Sequence, residues 1–201
     1  MVRVLPHPFS SRSKPWIREV VTRNGILVFP TETYYALGCS ALSSEAAKKV
    51  YRLKARSREQ PLLILIHSWE MLHEYFDPVS DSRLRILKRY WPAPLTAILK
   101  ANGKLADELN FRSDEVAVRM TPHPVARELI SLCGVPLVGT SANRSNCPPS
   151  TELNNAIRAF PSGIDLFIEG GRTLGGAPST IIRFLKDDTI QLVRQGAAPL
   201  D

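Results

Sequence analysis

Ile26-Leu27-Val28-Phe29-Pro30-Thr31-Glu32-Thr33 is the stretch on which the fold turns. Its four apolar residues follow one another without polar alternation, which suits a short strand buried on both faces. Asn24-Gly25 punctuates the chain just before it, and Pro30 closes the run as the sequence turns polar. Upstream, Pro15 followed by Trp16, Ile17, Val20 and Val21 has the spacing of an amphipathic helix. A helix, a turn and a buried strand ending in a polar cluster are the opening of a layered α/β domain.

Working outward, the alternation continues. Ser43 or Ser44 caps a helix that carries Ala46, Ala47, Val50 and Leu53 on one side. Leu62 to Ile66 reads as a strand, then Trp69 to Tyr75 and Ser82 to Tyr90 as helices, the second stopped ahead of Pro92. Strands are predicted at Leu95 to Leu99, Val116 to Met120 and Leu137 to Gly139, and helices at Pro124 to Leu132 and Thr151 to Phe160. Asp165 to Ile168, Ser179 to Leu185 and Thr189 to Val193 complete the strands. Interleaved strands and helices predict an α/β sheet, and the run of short strands makes it mixed. No repeat, linker or low-complexity tract appears, so residues 1–201 form one domain, with 1–14 as an irregular N-terminal segment.

The 201 residues suffice for a sizeable core. The longest apolar runs, such as Leu62 to Ile66, are strand-sized and too short to cross a membrane. Met1 to Pro15 lacks the apolar segment of a secretory signal; being basic and acid-free, it leaves a transit peptide as the alternative to a cytoplasmic location. Cys39, Cys133 and Cys147 are far apart and odd in number, as reduced cytosolic thiols are. A formal net charge of +7 favours polyanionic partners: nucleotides, RNA or acidic membranes. The excess is local, since six cations and two acids lie between Glu45 and Glu59.

Two strands end in small polar clusters: Phe29 runs into Pro30-Thr31-Glu32-Thr33, and Val138 into Gly139-Thr140-Ser141-Ala142-Asn143. Open α/β sheets bind ligands beyond the carboxyl ends of their strands, although the same residue types also build turns and caps. A third cluster is Lys54-Ala55-Arg56-Ser57-Arg58, where an extended backbone would aim three cations at one polyphosphate. Glu169-Gly-Gly-Arg-Thr-Leu-Gly-Gly-Ala-Pro-Ser179 fits neither a dinucleotide fingerprint nor a Walker loop and reads as a flexible connection. Arg119 closes one strand and Arg194 another, each ambiguous alone. No GxSxG is present, and His7, His67, His73 and His123 form no metal spacing, so no protein-ligated metal is expected. Tyr34-Tyr35 reads as core next to a strand end.

In order along the chain, these pieces resemble the YrdC-like threonylcarbamoyl-AMP synthases. The matching motifs are Phe29-Pro-Thr-Glu-Thr33 with Tyr35-Ala-Leu-Gly38, Lys54-x-Arg56 with Pro61-Leu62, Pro94-Leu95-Thr96, Val116-Ala-Val-Arg119, Thr140-Ser-Ala-Asn143, Ser179-Thr180 and Val193-Arg194-x-Gly196. The likeness covers about residue 16 to residue 196. It implies a twisted open mixed sheet with flanking helices around a concave basic cavity. It also implies an activity: threonylcarbamoyl-adenylate made from L-threonine, bicarbonate and ATP, with pyrophosphate released, for the threonylcarbamoyladenosine modification of tRNA.

The resemblance carries roles to matching positions. Lys54 and Arg56 would neutralise ATP phosphates and charge developing in the reaction. Ser141, Asn143 and Arg194 would hold the nucleotide, and Thr33, Arg119 and Ser179 the threonine, with Arg119 on its carboxylate. Mg2+ would arrive with ATP, and a downstream threonylcarbamoyl-transferase complex would take the product. Tyr34, Ala36, Leu65, Asn146 and Arg183 depart from the family pattern and bear on the amino-acid side. The competing readings are a divergent paralogue with another amino acid, a tRNA- or double-stranded-RNA-binding protein without catalysis, and a carbamoyl-transfer domain of the hydrogenase-maturation kind.

Overall fold

The computed structural model describes residues 2–109 and 114–200. The central apolar run forms strand β2, Leu27–Pro30, with all four residues buried. It lies inside a five-stranded sheet. Its neighbours are β9 (Leu166–Glu169), parallel to it, and β3 (Tyr35–Gly38), antiparallel. β1 (Val4–Pro6) pairs parallel with β9 at one edge, and β8 (Thr140–Ser141) pairs antiparallel with β3 at the other. Residues 1–14 are therefore not wholly irregular: Val4–Pro6 completes a sheet edge, a short pairing with no apolar alternation to announce it.

A second sheet of six strands takes the rest. Its order is β11 (Ile190–Arg194), β10 (Thr180–Phe184), β5 (Leu95–Lys100), β6 (Glu115–Met120), β4 (Ile64–Ile66) and β7 (Leu137–Val138). Parallel and antiparallel pairs alternate across it. The single sheet expected from sequence is thus two mixed sheets. The chain steps from one to the other at Gly139, between β7 and β8. Two glycines permit that step: a Cβ on Gly139 would lie 2.3 Å from Leu65 Cδ1, and one on Gly38 would lie 2.2 Å from the Val138 carbonyl.

Among the described residues, six α-helices flank the sheets: α1 (Ser13–Thr22), α2 (Ser44–Lys54), α3 (Trp69–Tyr75), α4 (Asp81–Tyr90), α5 (Pro124–Cys133) and α6 (Leu153–Ala159). α1 buries Ile17, Val20 and Val21, and Ser43 caps α2 by accepting the Ala46 N–H at 3.1 Å. The core runs on without a break from β2 to β4, β5 and β6. What remains uncovered is the face of the six-stranded sheet carrying Thr96, Ile98, Ala117 and Arg119, and the functional cavity opens over it.

Candidate functional site

The cavity has a volume of about 530 Å3, the size of a small-molecule site. Its floor comes from alternate residues of β5 and β6, and Ala117 and Ile98 are register partners on that face. The turn after β2 contributes Thr31 and Thr33 to its lining, the 56–61 segment contributes Arg56, Glu59, Gln60 and Pro61, and Ser179 and Arg194 line it as well.

The turn after β2 is built by its own hydroxyl. Thr31 Oγ1 donates to the Tyr34 carbonyl at 2.7 Å, and Thr33 lies 3.4 Å from it, 7% exposed at the cavity surface. Glu32 points the other way. Its Oε1 pairs with Arg119 Nη1 at 3.2 Å, and its Oε2 accepts from Thr121 Oγ1 at 2.8 Å. Arg119 is 4% exposed, and its Nε is buried with no hydrogen-bond partner. Burial pushes the Arg119 guanidinium's pKa down, opposed by Glu32.

Thr96 Oγ1 donates to Ser179 Oγ at 2.9 Å. The Arg194 guanidinium folds onto the same residue, donating through Nη2 to the Ser179 carbonyl at 2.7 Å and through Nε at 3.2 Å. Ser141 Oγ donates to Asn143 Oδ1 at 2.6 Å.

Lys54, Arg56 and Arg58 do not converge. α2 ends at Lys54, and Ala55 turns left-handed with φ 50°. Ala55 N–H donates to the Arg52 carbonyl and Arg56 N–H to the Tyr51 carbonyl, the pair of hydrogen bonds that terminates a helix. The reversal breaks the alternation that would have aligned the cations. Arg56 reaches the cavity, its Nε on the Gln60 carbonyl and its Nη2 on the Pro61 carbonyl, both at 3.1 Å. Lys54 turns inward, 2% exposed, and Arg58 stays in solvent. The Lys54 ammonium donates to the carbonyls of Ser141 at 2.5 Å and Asn143 at 2.8 Å and to Asn143 Oδ1 at 3.2 Å. Burial, then the charge of Arg56, pushes its pKa down to about 8.

Thr33, Arg56, Arg119, Ser141, Ser179 and Arg194 therefore share one cavity, while Lys54 and Asn143 stand behind its wall. Sequence reasoning missed Tyr34 and Thr96. Thr96 was recoverable, because it alternates with Ile98 along β5. The glycine-rich segment, expected to be a flexible connection, is tied down: Gly175 N–H donates to the Thr33 carbonyl at 2.7 Å and Tyr34 Oη to the Gly176 carbonyl.

Fold and site together define an α/β domain with a concave cavity lined in part by Arg56, Arg119 and Arg194. The chain belongs to the Sua5/YciO/YrdC family, whose description reads "Telomere recombination", with residues 19–196 matched. It is 37% identical over 180 residues to a threonylcarbamoyl-AMP synthase of Pyrococcus abyssi, covering 89% of this chain and 53% of that protein. It is 33% identical over 162 residues to one from Nitrosococcus oceani, covering 81% and 88%. The crystal structure of P. abyssi Sua5 complexed with L-threonine superposes with a TM-score of 0.90 at 32% identity, over all of this chain and 58% of that one. The chain thus spans about half the length of the Pyrococcus relative.

Proposed function

We propose that this chain makes threonylcarbamoyl-AMP from L-threonine, bicarbonate and ATP, releasing pyrophosphate, for the threonylcarbamoyladenosine modification of tRNA. The observation that carries this is that Thr33, Arg119 and Ser179 line a single cavity together with Arg56, Ser141 and Arg194. The first three would hold the amino acid. The second three would hold the nucleotide, with Lys54 and Asn143 bracing that wall from behind.

The chemistry asks for no protein base. The threonine amine and bicarbonate give a carbamate and water. A carbamate oxygen then attacks the α-phosphorus, and the bond to the departing pyrophosphate breaks. The nucleophile is already an anion, so catalysis rests on positioning and on offsetting charge, which arginines and hydroxyls supply. Glu59 is the carboxylate residue among the described residues of the cavity wall. That donor set fits a Mg2+ held mainly by phosphate oxygens and water. The product would pass to a downstream threonylcarbamoyl-transferase complex. No helix among the described residues is long and apolar enough to cross a membrane.

The test is incubation with ATP, bicarbonate and each amino acid in turn, reading pyrophosphate and adenylate by mass spectrometry. Threonylcarbamoyl-AMP is the expected product. An adenylate formed only with another amino acid would make the chain a divergent paralogue, and no adenylate with any would overturn the enzymatic reading.

A further inference from the structure

Two tyrosines adjacent in sequence grip opposite ends of the glycine-rich loop between β9 and β10. Tyr35, fully buried, points inward; its Oη donates to the Gly171 carbonyl at 2.7 Å. Tyr34 is the last residue of the turn after β2, and its side chain lines the cavity. It is half-buried, and its Oη donates to the Gly176 carbonyl at 2.5 Å. Between the two, Thr173 N–H donates to the Thr151 carbonyl at 2.9 Å and Gly175 N–H to the Thr33 carbonyl at 2.7 Å. The loop's path needs glycine: Gly171, Gly175 and Gly176 have φ of 82°, 69° and 85°.

This loop delivers Pro178 and Ser179 to the cavity, and Tyr34 itself lines the cavity beside Thr33. The two tyrosine attachments differ in kind. Tyr35 anchors the start of the loop from within the core. Tyr34, half-buried, anchors its end from a more exposed position on the cavity lining.

We propose that Tyr34 is a positioning residue that sets amino-acid selectivity: its ring walls the cavity beside Thr33, and its hydroxyl fixes the loop that brings Ser179 to the same cavity. This rests on the reading of Thr33 and Ser179 as residues that hold the amino acid. Fixing Ser179 in the cavity that Thr33 also lines limits the space for a side chain there. Releasing the loop loosens Ser179 and the Arg194 guanidinium that donates to its carbonyl at 2.7 Å, while Arg56 keeps its own bonds to Gln60 and Pro61.

The test compares the full chain with Tyr34→Phe, which keeps the ring and removes the bond, and Tyr34→Ala, which removes both. In Tyr34→Phe, amide hydrogen exchange over 171–177 should quicken without ligand. The KM for L-threonine should rise about threefold to tenfold, the scale of one net hydrogen bond, with kcat held within about twofold. In Tyr34→Ala, amino acids larger than threonine should gain on it in kcat/KM. Unchanged exchange and unchanged KM in Tyr34→Phe, beside an active wild type, overturn this inference alone. Quickened exchange beside a wild type that makes no adenylate but binds L-threonine in calorimetry overturns the proposed function and keeps the positioning role. A wild type that binds no amino acid overturns both.

Discussion

Lys54 is tied twice to Asn143, through the backbone carbonyl at 2.8 Å and the side-chain Oδ1 at 3.2 Å. With the third bond to the Ser141 carbonyl, all three ammonium protons are used. Lys54 ends α2, so the helix is fastened to β8, which lines the cavity, and to Asn143 just after it. A cation in this position shapes the wall first; the charge it lends to the cavity arrives through Ser141 and Asn143.

Replacing Lys54 by Met should therefore act on stability. The Ser141 carbonyl keeps the Asn143 N–H at 2.9 Å and Asn143 Oδ1 keeps the Ser141 hydroxyl at 2.6 Å, so the Asn143 carbonyl is the acceptor most exposed to the loss, and a cost of about 1–3 kcal/mol is expected. The pH dependence separates charge from packing. Folding lowers the Lys54 pKa from 10.5 to about 8, so between those values the unfolded chain holds the proton more often than the folded one. Stability should rise with pH across that window, and be flat with respect to this group below about pH 7. Denaturant unfolding of both proteins from pH 7 to 10.5 checks it. Parallel curves would rule out a buried, titrating Lys54.

Glu32→Gln should be costly for a related reason. Arg119 and Glu32 have side chains only 4% and 11% exposed, and the exchange leaves the guanidinium's charge uncompensated. Removing one partner of a buried pair costs about 3–5 kcal/mol. If Arg119 also receives the substrate carboxylate, L-threonine should raise the Tm of this variant more than that of the unmutated chain. Equal shifts in a thermal melt would place the carboxylate elsewhere.

Ala55→Gly tests the turn that parts Lys54 from Arg56. Ala55 pays a left-handed penalty of roughly 1 kcal/mol that glycine avoids, offset in part by glycine's freer unfolded chain. A gain of about 0.5 kcal/mol in urea unfolding, with adenylate formation unchanged, is the expected outcome. A loss of stability would mean that the Ala55 methyl makes a contact worth more than the strain.

What was legible in the sequence was local. β2, β6 and the α2 cap follow from runs, alternation and a serine, and Thr33, Arg119 and Ser179 sit where strands begin or end. What was not legible depends on partners far along the chain. Lys54 meets its acceptors 87 and 89 residues later, and a lysine in a basic run carries no local sign of burial. Tyr34 meets Gly176 at a separation of 142 residues, so its loop reads as a free connection. The division into two sheets turns on Gly139, where packing against Leu65 demands a missing side chain that no periodicity announces.

Arg56→Ala distinguishes catalysis from simple polyanion binding. Arg56 is half-buried in the cavity wall, and its two hydrogen bonds go to nearby carbonyls of the 56–61 segment. Losing them in a partly wet site should cost less than about 2 kcal/mol, leaving the fold intact. The effect on rate should be far larger. If Arg56 offsets charge on the reacting phosphates, its loss should slow adenylate formation about a hundredfold to a thousandfold, or roughly 3–4 kcal/mol. Arg56→Lys should recover only part, because a point charge cannot reproduce the two-pronged guanidinium. ATP affinity should fall as ionic strength rises, and less steeply in Arg56→Ala, which has one cation fewer to screen. Were the cavity only a non-catalytic RNA site, the same change would remove one cation among many and weaken binding modestly. Pyrophosphate release near the normal rate by a folded Arg56→Ala protein would remove Arg56 from the reaction and return it to the wall.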